Sequence, residues 1–195
     1  MKKGKMLILL AVVTGFFLFC GSITNSAIVP AAVENFTLND YNKVEHSLTD
    51  YKDANAIVII FIATQCPVSN AYNARMEQLY LEYKDKGVAF LGINSNKTEG
   101  IDEIKEHAKE KGLTFTILKD EGNVVADMFD ASHTPEAYVL SSNDFKILYN
   151  GRIDNSRDES EISSQDLRIA LDEILNGKTV GNPETKAFGC SIKRI

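Results

Sequence analysis

Apolar residues fall along the chain in runs whose spacing changes from segment to segment, and those changes lay out the elements. Ala56-Ile57-Val58-Ile59-Ile60-Phe61-Ile62 is a β-branched run with no polar interruption. It predicts a central strand covered on both faces, because a half-exposed strand would alternate. From Asn70 to Tyr83, the residues Tyr72, Met76, Leu79, Tyr80 and Tyr83 recur at helical spacing, and Gly87 then supplies a stop, so a helix follows the strand. Val88 to Ile93 predicts a second buried strand, Ile101 to Lys111 a helix ended by Gly112, and Phe115 to Leu118 a short strand. Strands alternating with helices imply a parallel sheet.

The later part of the chain changes that picture. Asn123 to Phe129 predicts one or two helical turns, and Ala137 to Leu140 and Phe145 to Tyr149 flank Ser141-Ser142-Asn143-Asp144, which is turn chemistry for an antiparallel hairpin. The sheet is therefore expected to be mixed. Leu167, Ala170, Leu171, Ile174 and Leu175 form the stripe of a closing amphipathic helix that Gly177 ends. An irregular tail is expected from about residue 178. Near the other end, Phe36 to Asp50 contains turn-like Asn39-Asp40-Tyr41-Asn42 and short apolar alternation, suggesting a small strand or two. No internal repeat or low-complexity tract interrupts the chain, so a single α/β domain over residues 33–195 is expected.

The first residues have a different pattern. Lys2, Lys3 and Lys5 precede an apolar run from Met6 to Phe19, followed by Gly21 and Ser22, which reads as a secretory signal over residues 1–26, cleaved somewhere in 22–32. The run is shorter than the roughly 20 residues of a spanning helix, so no permanent membrane span is expected. Lipidation at Cys20 ranks second, because Phe19 stands where a small residue would be expected. Export to the periplasm or cell envelope follows.

Charge narrows the partners. The formal charge is −6, and loss of the signal lysines would make the remainder more acidic still, which argues against nucleic acid and anionic membrane surfaces. If Cys20 leaves with the signal, Cys66 and Cys190 remain, in a compartment that permits disulfides. A metal cage of several cysteines is excluded, and no cofactor is called for.

Candidate chemistry centres on Cys66. It lies four residues beyond the central strand and directly before Pro67, and proline favours the first helical position, so Cys66 is placed at a helix N-cap. The unpaired N–H groups there favour a thiolate, the form that attacks disulfides and peroxides. Lowering a thiol pKa by about two units needs roughly 2.7 kcal/mol, more than a helix terminus supplies. Thr64 and Ser69 carry the nearest hydroxyls, the Ser69 N–H can also point at the sulfur, and Ser69 is the favoured donor. The competing reading is that Cys66 is a small buried hydrophobe or half of a structural disulfide. Thr134-Pro135, just before the strand Ala137 to Leu140, is a place where a cis peptide can be held. His133, with both cysteines, invites a metal reading, set aside because a histidine beside a proline loop is ordinarily an exposed polar residue. Asn94-Ser95-Asn96 ends the second strand on the same edge as Cys66, where open α/β sheets bind ligands.

Four blocks, Ile62-Ala63-Thr64-Gln65-Cys66-Pro67-Val68-Ser69-Asn70, Thr134-Pro135-Glu136-Ala137, Gly151-Arg152-Ile153-Asp154 and Gly189-Cys190-Ser191-Ile192-Lys193, together resemble the peroxiredoxin-like branch of the thioredoxin superfamily, filed with alkyl hydroperoxide reductase and thiol-specific antioxidant proteins. The resemblance runs from about Val33 to the end. It implies a thioredoxin-like fold, a mixed central sheet flanked by helices, with Cys66 as nucleophile and Pro135 a cis-proline against it. It further implies that the backbone of Thr134 holds an extended substrate strand. The sequence departs from the pattern in two places. Ser69 stands where thioredoxin-like reductases carry a second cysteine. The threonine three residues before a peroxiredoxin cysteine is Ala63 here, with Thr64 one residue late, and no arginine precedes Pro135. Arg75 or Arg152 could substitute if the fold brings either close; an ordinary ion pair is the plainer reading for Arg75.

The expectation is an exported thiol-dependent redox protein whose Cys66 attacks a hydroperoxide or a protein disulfide, antioxidant chemistry standing narrowly first. Cys190 or the thiol of an unidentified reductant would resolve it. The alternative is a non-catalytic binding module with a structural Cys66–Cys190 disulfide.

Overall fold

A computed structural model describes Met1 and residues 32–195. The expected signal over residues 1–26, including Cys20, lies outside the described residues apart from Met1.

The fully enclosed run Ala56–Phe61 is β3, and it sits between a parallel neighbour, β4 (Val88–Asn94), and an antiparallel one, β7 (Glu136–Leu140). β4 pairs in parallel with β5 (Thr116–Lys119), which meets β1 (Thr37–Asp40) and β2 (Glu45–Ser47); on the other side β7 pairs with β8 (Ile147–Gly151). The order is β2-β1-β5-β4-β3-β7-β8, a mixed sheet as expected.

Continuity of the β3 run follows from having a core on each face. Val58 and Ile60 join a cluster with Met76, Leu79 and Tyr83 of α2 (Asn73–Tyr83), Ile104 and Ala108 of α3 (Ile101–Lys111), and Leu167, Ala170 and Leu171 of α5 (Asp166–Leu175). Ile57, Ile59 and Phe61 enter a second cluster with Val33, Phe36 and Leu48, and with Val125 and Ala126 of α4 (Val124–Met128). Each wholly enclosed isoleucine contributes about 1.5–3 kcal/mol by leaving water, so neither face of β3 tolerates a polar residue. The result is the thioredoxin-like α/β fold, sheet inside and helices on both faces.

Three boundaries differ from the sequence expectation. The helix predicted over Asn70 to Tyr83 is two helices, α1 (Pro67–Ala71) and α2, separated at Tyr72. Periodicity continued through the break because the Tyr72 ring is buried with the helical stripe while its hydroxyl donates to Asp154. Phe115 precedes β5 as a buried anchor. Phe145 belongs to the hairpin turn, at φ +54 with its N–H donating to Ser141 O, and its ring is nonetheless buried. The tail beyond 178 is not wholly irregular. It carries a two-residue strand, β9 (Cys190–Ser191), which pairs antiparallel with β6 (His133–Thr134). No helix among the described residues is long and apolar enough to cross a membrane.

Candidate active site

Cys66 follows β3 and caps α1 in extended conformation (φ −84°, ψ 117°), with Pro67 in the first helical turn. The Ser69 N–H points at its sulfur, N to Sγ 3.3 Å, as an N-cap acceptor requires. α1 is only five residues long, so its summed dipole is small and this single N–H is the donor the sulfur meets. The Ser69 hydroxyl oxygen is itself engaged, accepting from Ala63 N–H at 3.1 Å. Thr64 does not serve the sulfur, because its hydroxyl donates to the Glu103 carboxylate.

Across from Cys66 lies the loop ending in Thr134-Pro135, whose peptide bond is cis. The Thr134 carbonyl oxygen is 3.3 Å from the Cys66 sulfur. The strand pairing expected of Thr134 is present, but the chain itself makes it: Thr134 is opposite Cys190 and His133 opposite Ser191. Cys66 and Cys190 form a disulfide with Cα atoms 5.9 Å apart, joining residues 124 apart in sequence. Gly189, at φ +154, permits this approach, since a Cβ there would overlap the Thr134 carbonyl. Cys66 is 4% exposed, Cys190 half-buried.

Neither candidate arginine faces the sulfur. Arg75 donates to Asp154 Oδ2 at 2.6 Å and to the carbonyls of Ser156 and Arg157, and stacks on the Tyr72 ring at 3.7 Å. Arg152 is held by Asp166, Nε to Oδ2 2.8 Å; that bond raises its pKa further. Both guanidiniums serve the scaffold, so the substrate-binding role expected of Arg152 does not match where its charge is spent. His133 Nδ1 lies 2.7 Å from Ser132 Oγ, and no group of three His, Cys, Asp or Glu converges among the described residues.

The sequence reading missed Glu99. It is 3% exposed, and its carboxylate accepts from Thr64 N (2.7 Å), Gln65 N (3.2 Å), Asn94 Nδ2 (2.5 Å) and Asn96 Nδ2 (3.0 Å). It thereby fixes the two residues before Cys66. Asn94, Ser95 and Asn96 are all buried; Asn94 and Asn96 serve this network, whereas the Ser95 hydroxyl donates to Asp120. A lone glutamate in a polar loop carries no sequence signal of that role; only the β4 edge, where Asn94-Ser95-Asn96 stood out, hinted at it. A cleft of about 310 Å³ lined by Arg75, Leu79, Asp154, Glu159 and Arg168 includes neither cysteine.

A thioredoxin-like sheet, a helix-capping cysteine and a cis-proline loop opposite it define the class: thioredoxin-fold proteins with a half-cystine at the helix start. The chain belongs to the AhpC/TSA family, whose model matches residues 29–150, more than half of it. That match ends before Cys190. Peroxiredoxin Q of Oryza sativa subsp. indica is 28% identical over 141 residues, covering 68% of this chain and 62% of its own length. The thiol-disulfide oxidoreductase ResA of Geobacillus kaustophilus is 26% identical over 145 residues, covering 73% and 81%. A solved structure of an uncharacterized conserved protein from Geobacillus kaustophilus superposes with a TM-score of 0.78 at 34% identity, covering 87% of this chain and 93% of that one.

Proposed function

We propose that the protein is a thiol-disulfide oxidoreductase in which Cys66 and Cys190 cycle between disulfide and dithiol. The observation that carries this reading is the Cys66–Cys190 bond at the cis-proline loop, with Arg75 and Arg152, the candidates for polarising a peroxide, committed to Asp154 and Asp166. Similarity to ResA supports it.

In the oxidised form an incoming thiolate attacks Cys190 Sγ, the less buried sulfur. The S–S bond to Cys66 breaks as a mixed disulfide with Cys190 forms. Cys66 leaves as thiolate, accepting the Ser69 N–H, and a leaving thiolate of lowered pKa departs faster. A second thiol of the reductant then displaces Cys190, leaving a dithiol. Toward a substrate disulfide, the Cys66 thiolate attacks one sulfur and the other leaves as a thiolate; Cys190 then attacks Cys66 Sγ, the second substrate thiolate leaves, and the Cys66–Cys190 bond reforms, so two electrons pass to the substrate.

The reading is tested by equilibrating the protein in glutathione buffers and quantifying the Cys66–Cys190 bond by mass spectrometry. A potential between about −300 and −120 mV is expected, the span of catalytic pairs; a value well below −300 mV would mark a structural bond and sink the proposal. Peroxide reduction is a second reading, favoured by the family match. Stopped-flow oxidation of the dithiol form by hydrogen peroxide is expected to run no faster than free cysteine, and a much faster rate would put the peroxidase first.

Export is part of the proposal, supported by Lys2, Lys3 and Lys5 before the apolar run from Met6 to Phe19. The mature amino terminus, sequenced from the cell envelope, is expected within residues 22–32; an amino terminus at a lipidated Cys20 would replace that cleavage.

A further inference from the structure

The two cysteines are 124 residues apart in sequence, and β6–β9 pairing is only two residues long. Something else must hold the tail in register. Beyond Cys190, the Ile192 N–H donates to Ser132 O, the Lys193 N–H to Asn96 Oδ1 at 2.7 Å, and the Ile195 N–H to Asn123 Oδ1; Lys193 O accepts from Lys97 N–H.

Asn96 and Asn123 both hold the tail through Oδ1 while donating through Nδ2, but the Asn123 amide donates to Ser95 O, whereas the Asn96 amide donates to the carboxylate that holds the Cys66 loop. Asn96 Oδ1 accepts from the tail at Lys193, while its Nδ2 donates to Glu99, whose same oxygen accepts from Gln65 N, directly before Cys66. Asn96 is 3% exposed. The side-chain amide accepts at one end and donates at the other, whereas an ionised carboxylate lacks the donor and alanine lacks both. The orientation of the amide is dictated by its neighbours, a carboxylate facing one end and an N–H the other.

We propose that Asn96 is a positioning residue that links the Cys66 loop, through Glu99, to the Cys190 strand, through Lys193, and so sets the effective concentration of one thiol for the other. The inference deepens the oxidoreductase reading and rests on it. When Cys190 is released as a thiol, the Asn96–Lys193 bond keeps the tail beside Cys66, ready to displace a substrate thiol from it.

The test measures the equilibrium between the full-length protein and glutathione, from which the effective concentration of the Cys190 thiol toward Cys66 follows without knowing the substrate. Asn96→Ala is expected to lower it about tenfold, equivalent to about 30 mV for this two-electron couple. A chain ending at Ile192, which removes the Lys193 N–H together with the Lys97 and Asn123 anchors and leaves Asn96 intact, is expected to shift it in the same direction and at least as far. Asn96→Ala in that shortened chain should add no more than a twofold change, because the two alterations break the same link.

An unchanged equilibrium in Asn96→Ala overturns the proposal. So does a full tenfold effect of Asn96→Ala in the shortened chain, since Asn96 would then act through the Cys66 loop alone. If Asn96→Ala fails to fold, the shortened chain against the full-length protein decides the matter: no shift overturns the link. A wild-type bond that glutathione does not reduce would instead defeat the oxidoreductase reading, a separate outcome.

Discussion

Two buried polar networks flank Cys66, and they are built on opposite principles. Around Arg75, a cation meets the Asp154 carboxylate at 2.6 Å, the Glu159 carboxylate at 3.5 Å, three backbone carbonyls and the Tyr72 ring, with Tyr72 also donating to Asp154. The cation is answered by carboxylates, and every partner belongs to the scaffold: α1 and α2 on one side, the segment after β8 on the other. Around Glu99, a carboxylate meets only N–H donors, two from backbone and two from amides, and one of those amides, Asn96, also holds the tail. The first network closes on itself, whereas the second depends on a segment that oxidation ties down. One is thus suited to holding the fold and the other to registering whether the tail is in place.

Substitutions can separate the two roles. The largest effect is expected for Arg75→Ala, which strands a buried carboxylate and should cost about 3–5 kcal/mol in urea unfolding, while the Cys66–Cys190 bond still forms; loss of the bond with intact stability would reverse the contrast. Next comes Gly189→Ala. The added Cβ collides with a backbone oxygen that cannot swing away, so the tail should lift and the disulfide become about tenfold easier to reduce in glutathione, about 30 mV, with unfolding of the dithiol form changed far less than by Arg75→Ala. Glu99→Gln keeps the shape but turns one acceptor into a donor facing donors, at an expected cost of about 1–3 kcal/mol, read by the same urea titration.

The smallest effect is expected far from both networks, at Asp40 in the β1–β2 turn. Burial works to raise its pKa, but hydrogen bonds from the Val44 and Asn42 N–H groups and the nearby His46 hold it below the ordinary 3.8. A carboxyl lowered in the folded state stabilises above its unfolded pKa, and that contribution is lost as pH falls through the folded value. Asp40→Asn should therefore flatten the loss of stability below about pH 4, seen by thermal unfolding across an acid series; an unchanged acid limb would show that the turn is not coupled to folding.

How much of this was legible beforehand depends on whether neighbours in space were neighbours in sequence. The β3 run, the strand-Cys-Pro-helix unit and the Ser69 N–H at Cys66 are local, and periodicity and capping rules reach them. Thr134-Pro135 was legible as a position but not as a filled one, because nothing in its neighbourhood announces that Cys190 and Ser191 pair with it. Thr64 was assigned to the sulfur on proximity along the chain, while Glu103, on α3, takes its hydroxyl. Asn96 stood out only as part of the β4 edge and Glu99 not at all, since their donors and acceptors arrive from residues 64, 65 and 193. Arg75 and Arg152 needed the positions of Asp154 and Asp166 to be excluded from the site.

The disulfide spans 124 residues, so α1 to α5 and β4 to β8 lie within the loop it closes, while β1, β2 and β3 precede it. In the chain-entropy picture, a cross-link of that length removes about 5 kcal/mol of freedom from the unfolded ensemble. Reciprocity then follows from the thermodynamic cycle: whatever the bond adds to folding, folding adds to the bond's resistance to reduction. Resistance to heat becomes a gauge of the electron supply around the protein, and a reducing environment would leave the same chain softer and more open to proteolysis.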